Sequence, residues 1–377
     1  MKTVWINRYY EESEDILLKK GKVFVLFGPR RVGKTMLIEK LISKFKGSIY
    51  TGTGDNFDLL EILSSQSLKK IKSALGKYDL IFIDEAQMIP NIGYSIKLLI
   101  DNMPEKIIIL TGSSSFELSG QVGEPLTGRQ KQRKLYPISM AELKNQFGGM
   151  YLIENLEELI IFGAYPDVLK QDSILDKTEY LLSIRDSYLL KDIFSLKELK
   201  LQNKVFDLLR LLAFQIGHEV SMNELANNLG IAKQSVDRYL SLLEKAFIIK
   251  RMGGFSKNLR NEITKSSRYY FFDNGVRNAV INNFNTLNNR NDVGMLWENF
   301  MVMERLKKQE YQRLFSNNYF WRTYDQKEID LIEERNGKLY AFEFKFGKKS
   351  KEPKQWRSAY PDSEFNVITP DNFLEYI

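Results

Sequence analysis

Short apolar runs alternate with amphipathic stretches over the first third of the chain. The runs are rich in β-branched and aromatic residues and stop at polar or glycine-containing segments; they are Val23–Phe27, Ser48–Thr53, Tyr78–Asp84 and Lys106–Gly112. Continuous apolar strands of this kind are typical of a parallel sheet that helices cover on both faces. Between the first two runs, apolar residues recur at helical spacing, at Met36, Leu37, Leu41, Ile42 and Phe45. The pattern predicts a doubly wound α/β domain over residues 1–140.

Longer helical patterns replace this alternation from about Met140 onward. Two amphipathic helices are predicted at Leu152–Phe162 and Thr178–Leu199, with the segment Gly163–Leu169 between them. We assign residues 141–200 to a helical lid or linker.

The rest of the chain predicts two further small domains. Residues 201–275 predict three helices and two strands, at Val205–Ile216, Ser221–Leu229, Lys233–Ala246, Phe247–Gly253 and Arg268–Phe272. Residues 286–377 predict one helix followed by three strands, at Val293–Lys308, Tyr319–Tyr324, Glu328–Glu333 and Leu339–Phe346. The predicted fold class is therefore α/β, with a helical middle and a second α/β domain.

Composition narrows the chemistry that this chain can use. Its 377 residues include 55 Lys plus Arg against 48 Asp plus Glu, a formal net charge of +7, which permits an acidic partner without requiring one. There is no cysteine, so disulfides, iron–sulfur clusters and thiolate zinc sites are excluded, and His218 is the only histidine. No apolar run approaches the ~20 residues that span a bilayer. We expect a cytoplasmic protein with no membrane partner, whose sites use carboxylates, lysines and hydroxyls.

A phosphate-binding loop follows the first apolar run. The residues Gly28, Pro29, Arg30, Arg31, Val32, Gly33, Lys34 and Thr35 match the pattern G-x-x-x-x-G-K-[ST] between a strand and a helix. Glycines let backbone N–H groups converge on phosphate oxygens, and the helix N-terminus adds a favourable potential. Lys34 is expected to reach the β- and γ-phosphates, and the Thr35 hydroxyl to bind magnesium. The predicted cofactors are ATP and Mg²⁺.

The run Tyr78–Asp84 supplies a second part of this site. It ends in Asp84 followed by Glu85, so Asp84 is expected to hold magnesium through water and Glu85 to polarise the attacking water. The next run ends in a serine-rich turn. If the sheet inserts that strand between the other two, Ser113 or Ser114 orients the same water; the alternative is an ordinary serine-rich turn.

Phosphoryl transfer also needs positive charge from outside the loop. Arg129, with Arg133 close behind it, follows the serine-rich turn and is a candidate arginine finger acting in cis or in trans. A solvated surface position is the alternative for both arginines. An arginine acting in trans would require a homo-oligomer.

These residues resemble the AAA-type P-loop ATPases of prokaryotes that carry an uncharacterised C-terminal domain. The resemblance rests on the strings FGPRRVGKT, IFIDEAQMIPN, ILTGSSSFEL, LTGR, YPISMAEL and FGAYPDVL, and it continues through RYYFFDNGVRN to YAFEFK near the end. It implies an ATP-binding fold with Gly28, Gly33, Lys34, Thr35, Asp84 and Glu85 in the nucleotide site. It also favours Arg129, which matches the family's Gly-Arg pair.

Residues 221–240 resemble a helix-turn-helix, and the strands after them suggest a winged helix. Its second helix would present Gln234, Ser235 and Arg238 outward, as a recognition helix does. From Ile231 to Arg260 seven basic residues face two acidic ones, a local charge of +5. DNA is the predicted partner; a protein-binding or lid module with the same fold is the alternative.

Four residues near the C-terminus form a second candidate site. Strand alternation places Glu343 and Lys345 on one face of a run, Asp330 lies on a strand that could pair with it, and Glu298 lies on the preceding helix. Together they resemble the PD-(D/E)xK nuclease core, in which two carboxylates, here Asp330 and Glu343, hold magnesium. An active nuclease and an inactive, purely binding relative both remain open.

We therefore interpret the chain as a Mg²⁺-dependent ATPase that couples its nucleotide state to DNA binding. Two alternative hypotheses are a nucleotide-gated binding switch with little turnover and an ATP-stimulated DNA nuclease.

Overall fold

The computed structural model describes residues 5–13, 18–113, 125–189, 202–256, 267–323, 325–347 and 350–377. The chain divides into two compact units. The smaller unit comprises Asn7–Tyr136 with Lys245–Phe247, and the larger comprises Met1–Ile6, Pro137–Glu244 and Ile248–Ile377. Ser114, Lys257 and Arg260, together with the end of the predicted helix Thr178–Leu199, lie outside the described residues.

A parallel five-stranded sheet forms the centre of the smaller unit, in the order β2-β3-β4-β1-β5. Its strands are β1 (Lys22–Phe27), β2 (Ile49–Thr53), β3 (Leu80–Asp84), β4 (Ile107–Gly112) and β5 (Gln130–Lys134). The helices are α1 (Lys34–Ile42), α2 (Phe57–Ser64), α3 (Leu68–Leu75) and α4 (Ile92–Asn102), with short 3₁₀ turns at Tyr9–Ser13 and Ala86–Met88. The predicted α/β class and parallel sheet are confirmed.

Burial follows three of the four apolar runs that predicted strands, whereas β2 at the edge of the sheet is partly exposed. β4 is buried along its whole length, β1 at every position after Lys22, and β3 at every position before Asp84. α1 packs Leu37, Ile38, Leu41 and Ile42 into the core. Met36 fits the helical spacing but is 48% exposed, because it lies on the opposite face of the helix.

The larger unit combines ten α-helices among its described residues with a mixed seven-stranded sheet. The helices are α5 (Met140–Phe147), α6 (Gly149–Glu154), α7 (Leu156–Phe162), α8 (Ile174–Ile184), α9 (Gln202–Phe214), α10 (Met222–Leu229), α11 (Lys233–Lys245), α12 (Asn274–Ile281), α13 (Val293–Gln312) and α14 (Lys354–Ala359). The strands are β6 (Glu219–Val220), β7 (Ile249–Gly254), β8 (Ser267–Phe271), β9 (Asn317–Arg322), β10 (Glu328–Arg335), β11 (Lys338–Phe344) and β12 (Glu364–Ile368).

The helix pair α10 and α11 lies where the helix-turn-helix pattern predicts it. Ser221 caps α10 by accepting a hydrogen bond from the Glu224 N–H, and Gly230 ends the helix in the left-handed conformation. Leu225, Ala226 and Leu229 are buried on its inner face. The spacing of apolar residues therefore predicts this segment well.

One sheet spans two segments that the sequence predicts as separate domains. β7 pairs antiparallel with β8 and parallel with β9, so the sheet has the order β12-β11-β10-β9-β7-β8-β6. Its core includes Trp321, Ile329, Ile332, Ala341 and Trp356. The structure thus joins residues 201–275 to residues 286–377, and pairing between strands so distant in the chain leaves no local signal.

Over the described part of the chain, none of the helices combines the length and the apolar character needed to cross a membrane.

Candidate functional site

The predicted phosphate-binding loop connects β1 to α1. Gly28 has φ +152°, and a Cβ built there would lie 2.1 Å from the Leu135 carbonyl oxygen, so only glycine fits. Gly33, at φ +89°, immediately precedes α1. The loop is therefore held between the end of β1 and the segment that follows β5, with backbone N–H groups at the start of a helix.

Lys34 folds back over this loop. Its side chain is buried, and its Nζ donates hydrogen bonds to the carbonyl oxygens of Gly28 at 2.9 Å and Pro29 at 2.8 Å. The ammonium group is thereby fixed at the loop that the sequence assigns to phosphates.

Asp84, at the end of β3, is tied to the start of α1. The Thr35 hydroxyl donates to Asp84 Oδ2 at 2.6 Å, and the Thr111 hydroxyl donates to Oδ1. A hydroxyl and a carboxylate so close together fit Mg²⁺ that arrives with a nucleotide, because hard oxygen ligands are those that Mg²⁺ prefers. Bound there, the ion would neutralise phosphate charge. Thr111 has no part in the sequence prediction, because a threonine inside an apolar run resembles any β-branched strand residue.

Ser113 lies at the carboxyl end of β4. The sheet places β4 between β1 and β3, which is the condition on which the predicted role of this serine depends. Ser113 is fully buried, and its hydroxyl oxygen accepts a hydrogen bond from Gln87 Nε2 at 3.2 Å. The same amide nitrogen donates to Glu85 Oε2. Gln87 is not among the residues predicted from the sequence, although a polar residue two positions after a pair of carboxylates is a signal that could have found it.

Glu85 has an unusual backbone. It adopts φ +46° and ψ 42°, the left-handed region, which a non-glycine residue enters at a cost and which is frequent at functional sites. Gly54 packs against it, since a Cβ at position 54 would lie 2.3 Å from the Glu85 carbonyl oxygen. The point from which the Glu85 side chain starts is thus set by its backbone and by the neighbouring turn.

Arg8 is a further residue that the sequence does not reveal. It is buried, and its guanidinium donates to the carbonyl oxygens of Val32 at 2.6 Å and Tyr136 at 2.7 Å. It therefore braces the phosphate loop from the N-terminal segment.

Arg129 lies away from the loop of its own chain. Its carbonyl oxygen accepts from the Val23 N–H at the beginning of β1, and its Nε pairs with Asp101 at 2.5 Å. The loop begins at Gly28, roughly 16 Å further along the strand at ~3.3 Å per residue. This position does not support an arginine finger in cis, whereas action in trans stays a prediction. Arg133 lies opposite Leu26, nearer the loop.

The four C-terminal candidates come together in the larger unit. Glu298 projects from α13, Asp330 from β10 and Glu343 from β11, and Lys345 Nζ pairs with Glu343 Oε1 at 2.7 Å. Asp330 Oδ2 accepts the Phe344 N–H at 2.8 Å. All three carboxyl groups are largely buried, and Glu343 Oε2 has no hydrogen-bond partner. The structure thus brings together the four side chains that the order of helix and strands groups in the sequence, and their role as a nuclease site stays a prediction.

A fifth residue, Arg268 on β8, enters this cluster. Its guanidinium contacts Glu328 at 2.7 Å, Glu298 at 3.4 Å and Asp330 at 3.6 Å, with only 3% of the side chain exposed. The Tyr270 hydroxyl donates to Glu298 at 2.7 Å. A single arginine on this strand carries no signal of its target, so Arg268 cannot be recognised from the sequence.

Carboxyl groups outnumber cations in this cluster. Burial, followed by repulsion from Asp330, raises the pKa of Glu343 to about 7. The same causes raise the pKa of Glu298 well above its ordinary range. Burial likewise raises the pKa of Asp330, although Lys345 opposes the shift. Arg268 and Lys345 therefore do not offset the cost of ionising every carboxyl group of the cluster, which retains protons at a pH at which exposed carboxyl groups would lose them.

Asp330 and Glu343 are the two carboxylates that the sequence predicts to hold magnesium. Across the described ranges no group of three or more His, Cys, Asp or Glu side chains is arranged to hold a metal ion. Arg268 already contacts Asp330 as well as the other two acidic side chains, Glu298 and Glu328. A cation there would need oxygens from water or a substrate to complete its shell.

The predicted recognition helix, α11, exposes part of its predicted surface. Gln234 and Arg238 are exposed and Ser235 is partly buried. Two of the basic side chains nearby are paired with acids: Lys250 with Glu244 at 2.8 Å and Arg251 with Asp237 at 3.6 Å. These pairs reduce the positive charge that this surface offers to a polyanion.

The sheet order, the loop between β1 and α1 and the acidic end of β3 define the smaller unit as a P-loop NTPase fold. Comparison with known families places it more narrowly, since residues 20–144 match the model described as "AAA domain". Residues 153–287 and 293–372 match two domains of unknown function, DUF8612 and DUF4143. The P-loop fold of the smaller unit thus coincides with the match to the AAA domain model, and the two segments that follow match models of unknown function.

Several relatives match this chain over most of their own length. An uncharacterized protein of Mycobacterium tuberculosis is 28% identical over 352 residues, covering 92% of this chain and 75% of that protein. An uncharacterized protein of Methanocaldococcus jannaschii is 25% identical over 385 residues, covering 96% and 83%. Among solved structures, the Walker-type ATPase PABY2304 of Pyrococcus abyssi is similar at a TM-score of 0.49 and 17% identity, covering 74% of this chain and 96% of that one.

Proposed function

We propose that the smaller unit binds ATP together with Mg²⁺ and hydrolyses it. The observation that carries the proposal is the meeting of Lys34, Thr35 and Asp84 at one edge of the sheet, with Thr35 Oγ1 2.6 Å from Asp84 Oδ2. Glu85 follows Asp84 directly. These are the groups that phosphoryl transfer to water requires: a cation for the phosphates, ligands for magnesium and a base.

Each residue takes one role in the reaction. Lys34 exchanges its bonds to the loop carbonyls for phosphate oxygens and neutralises their charge. Thr35 and Asp84 would hold Mg²⁺, which would supply further neutralisation. Glu85 orients the attacking water in line with the leaving group and accepts its proton. Ser113 helps to orient that water.

Nucleotide titration and steady-state turnover test the proposal. Lys34→Ala is expected to abolish detectable ATP binding, and Glu85→Gln to retain binding while kcat falls about a hundredfold or more. Lys44→Ala, an exposed lysine just after α1, is the matched control and should behave as wild type. Wild-type protein that fails to bind ATP, or a Lys34→Ala variant that turns over normally, would refute the proposal.

We further propose that the larger unit binds DNA through α11 and that the bound nucleotide alters its affinity. Support comes from the exposed Gln234 and Arg238 and from the basic excess of residues 231–260. Phosphate contacts make binding fall steeply with salt. Arg238→Ala should lower the salt dependence of DNA affinity relative to an exposed control, Lys354→Ala. Affinity that is the same with and without ATP would exclude the coupling.

A nucleotide-gated switch is distinguished from an ATPase by kinetics. A switch hydrolyses one ATP and retains the product, so single-turnover rates exceed steady-state rates by a large factor, whereas an ATPase shows similar values. An arginine finger in trans, with Arg129 as its candidate, adds a requirement for a homo-oligomer, which light scattering measures directly.

A DNA nuclease is a second candidate, favoured by the convergence of Asp330, Glu343 and Lys345 and by the unpartnered Glu343 Oε2. Plasmid cleavage with Mg²⁺ or Mn²⁺ tests it. Asp330→Ala and Lys345→Ala should each abolish cleavage, and cleavage that survives both substitutions would exclude this site.

A further inference from the structure

A hydrogen-bonded bridge connects the proposed base to the end of the neighbouring strand. Gln87 lies in the 3₁₀ turn Ala86–Met88 that directly follows Glu85. Its Nε2 donates to Glu85 Oε2 and, at 3.2 Å, to Ser113 Oγ. One amide group thus contacts both side chains that the proposed reaction assigns to the attacking water.

The orientation of this amide follows from chemistry. An ionised carboxylate only accepts hydrogen bonds, so the NH₂ group of Gln87 must face Glu85, and the reversed amide would place two oxygens against each other. The Gln87 Oε1 atom is then buried without a hydrogen-bond partner. A buried acceptor left in this way beside a proposed water site is available to a water molecule.

The backbone of Glu85 fixes only part of the position of its carboxylate. The left-handed conformation at φ +46° and the contact with Gly54 fix where the side chain starts. The side-chain torsions of Glu85 can still rotate, and the hydrogen bond from Gln87 Nε2 selects the conformation that they adopt. A positioned base needs this restraint, because small displacements from the in-line geometry cost large factors in rate.

We propose that Gln87 is a positioning residue that holds the Glu85 carboxylate and couples it to Ser113. The inference rests on the proposed ATPase function. Without the amide donor the carboxylate rotates away from the water, while the phosphate loop, α1 and Asp84 are unaffected. Catalysis should therefore fall with nucleotide affinity unchanged, and the contribution of Ser113 should depend on the presence of Gln87.

Steady-state kinetics of full-length single and double variants test this. Gln87→Met keeps the length of the side chain and removes its hydrogen bonds, so kcat is expected to fall about tenfold to a hundredfold with KM for ATP within about twofold of wild type. Ser113→Ala alone should lower kcat about fivefold, and in the Gln87→Met background by less than about twofold. Gln87→Glu, a second variant without an amide donor, should lose at least as much. Gln132→Met, on an exposed glutamine of β5, is the control.

The outcomes separate this inference from the function on which it rests. Wild-type protein without turnover refutes the ATPase proposal and the role of Gln87 with it. Turnover that depends on Lys34 but is unchanged in Gln87→Met and Gln87→Glu refutes only the role of Gln87. Losses that simply multiply in the double variant, or a raised KM at constant kcat, also overturn it, because a merely structural residue gives that result.

Discussion

Replacing Glu343 by glutamine should stabilise the larger unit at alkaline pH. The side chain is 5% exposed, its Oε2 has no hydrogen-bond partner, and Asp330 lies close enough to repel its charge. Glutamine has nearly the same shape as the protonated acid and carries no charge. The substitution therefore removes a buried negative charge while keeping the packing.

The magnitude follows from the raised pKa of Glu343. Its carboxyl group has a pKa of about 7 in the folded protein against an ordinary 4.5. Since the folded state holds this proton more tightly, the stabilisation is complete below pH 4.5 and is lost as the pH rises through 7. The difference corresponds to at most about 3 kcal/mol at 25 °C. Wild type and Glu343→Gln should thus be similarly stable near pH 4.5, and the variant more stable by up to about 3 kcal/mol at pH 8.

Tryptophan fluorescence can follow this unit selectively. All four tryptophans of the chain, Trp5, Trp297, Trp321 and Trp356, belong to the larger unit. Urea unfolding followed by their emission at several pH values gives the difference in free energy of unfolding between the two proteins. Experiments with chelator present keep a bound divalent cation from neutralising Glu343.

An exposed glutamate on the adjacent strand provides the control. Glu364 on β12 is exposed, so Glu364→Gln should leave the pH dependence unchanged. If the difference in free energy of unfolding between wild type and Glu343→Gln stayed constant from pH 4.5 to 8, or if the variant were less stable at pH 8, the destabilising effect of the Glu343 charge would be refuted.

Two substitutions address other contacts. Gly54→Ala should reduce ATP turnover at least tenfold, since its Cβ would lie 2.3 Å from the Glu85 carbonyl oxygen and displace that turn; steady-state kinetics measures this, and unchanged turnover would contradict it. Arg268→Met should destabilise the larger unit by about 3–5 kcal/mol, because it leaves Glu298 and Asp330 buried without their guanidinium. Unfolding monitored by tryptophan fluorescence measures this, and adding Glu298→Gln to Arg268→Met should restore part of the lost free energy of unfolding. A destabilisation by Arg268→Met below about 1 kcal/mol would contradict the importance of these ion pairs.

The nucleotide site is largely predictable because its signals are local. Lys34 and Thr35 are recognised from a short motif between a strand and a helix, and Asp84 from its place at the end of an apolar run. The position of Ser113 depends on strand order, which the sequence supplies only as a condition. Whether β4 lies between β1 and β3 is decided by the packing of the whole sheet.

The residues that the sequence misses act through distant contacts. Arg8 reaches the loop across 24 positions of the chain, and Arg268 reaches Glu328 across 60. Neither belongs to a periodic pattern, and a single charged residue does not reveal its partner. Arg129 is the opposite case. Its position in the sequence suggests an arginine finger, but in the structure its side chain pairs with Asp101 at the end of β1 that is remote from the loop.

The shared seven-stranded sheet determines which fragments of this chain can fold on their own. A fragment that ends before β9 would expose the edge of β7 and separate Phe255 from the rings of Tyr319, Trp356 and Tyr360. The complementary fragment, which begins after that boundary, would lack Arg268 of the carboxylate cluster. Open strand edges invite association between chains. The two uncharacterised segments should therefore be produced, exchanged between relatives and inherited as a single piece.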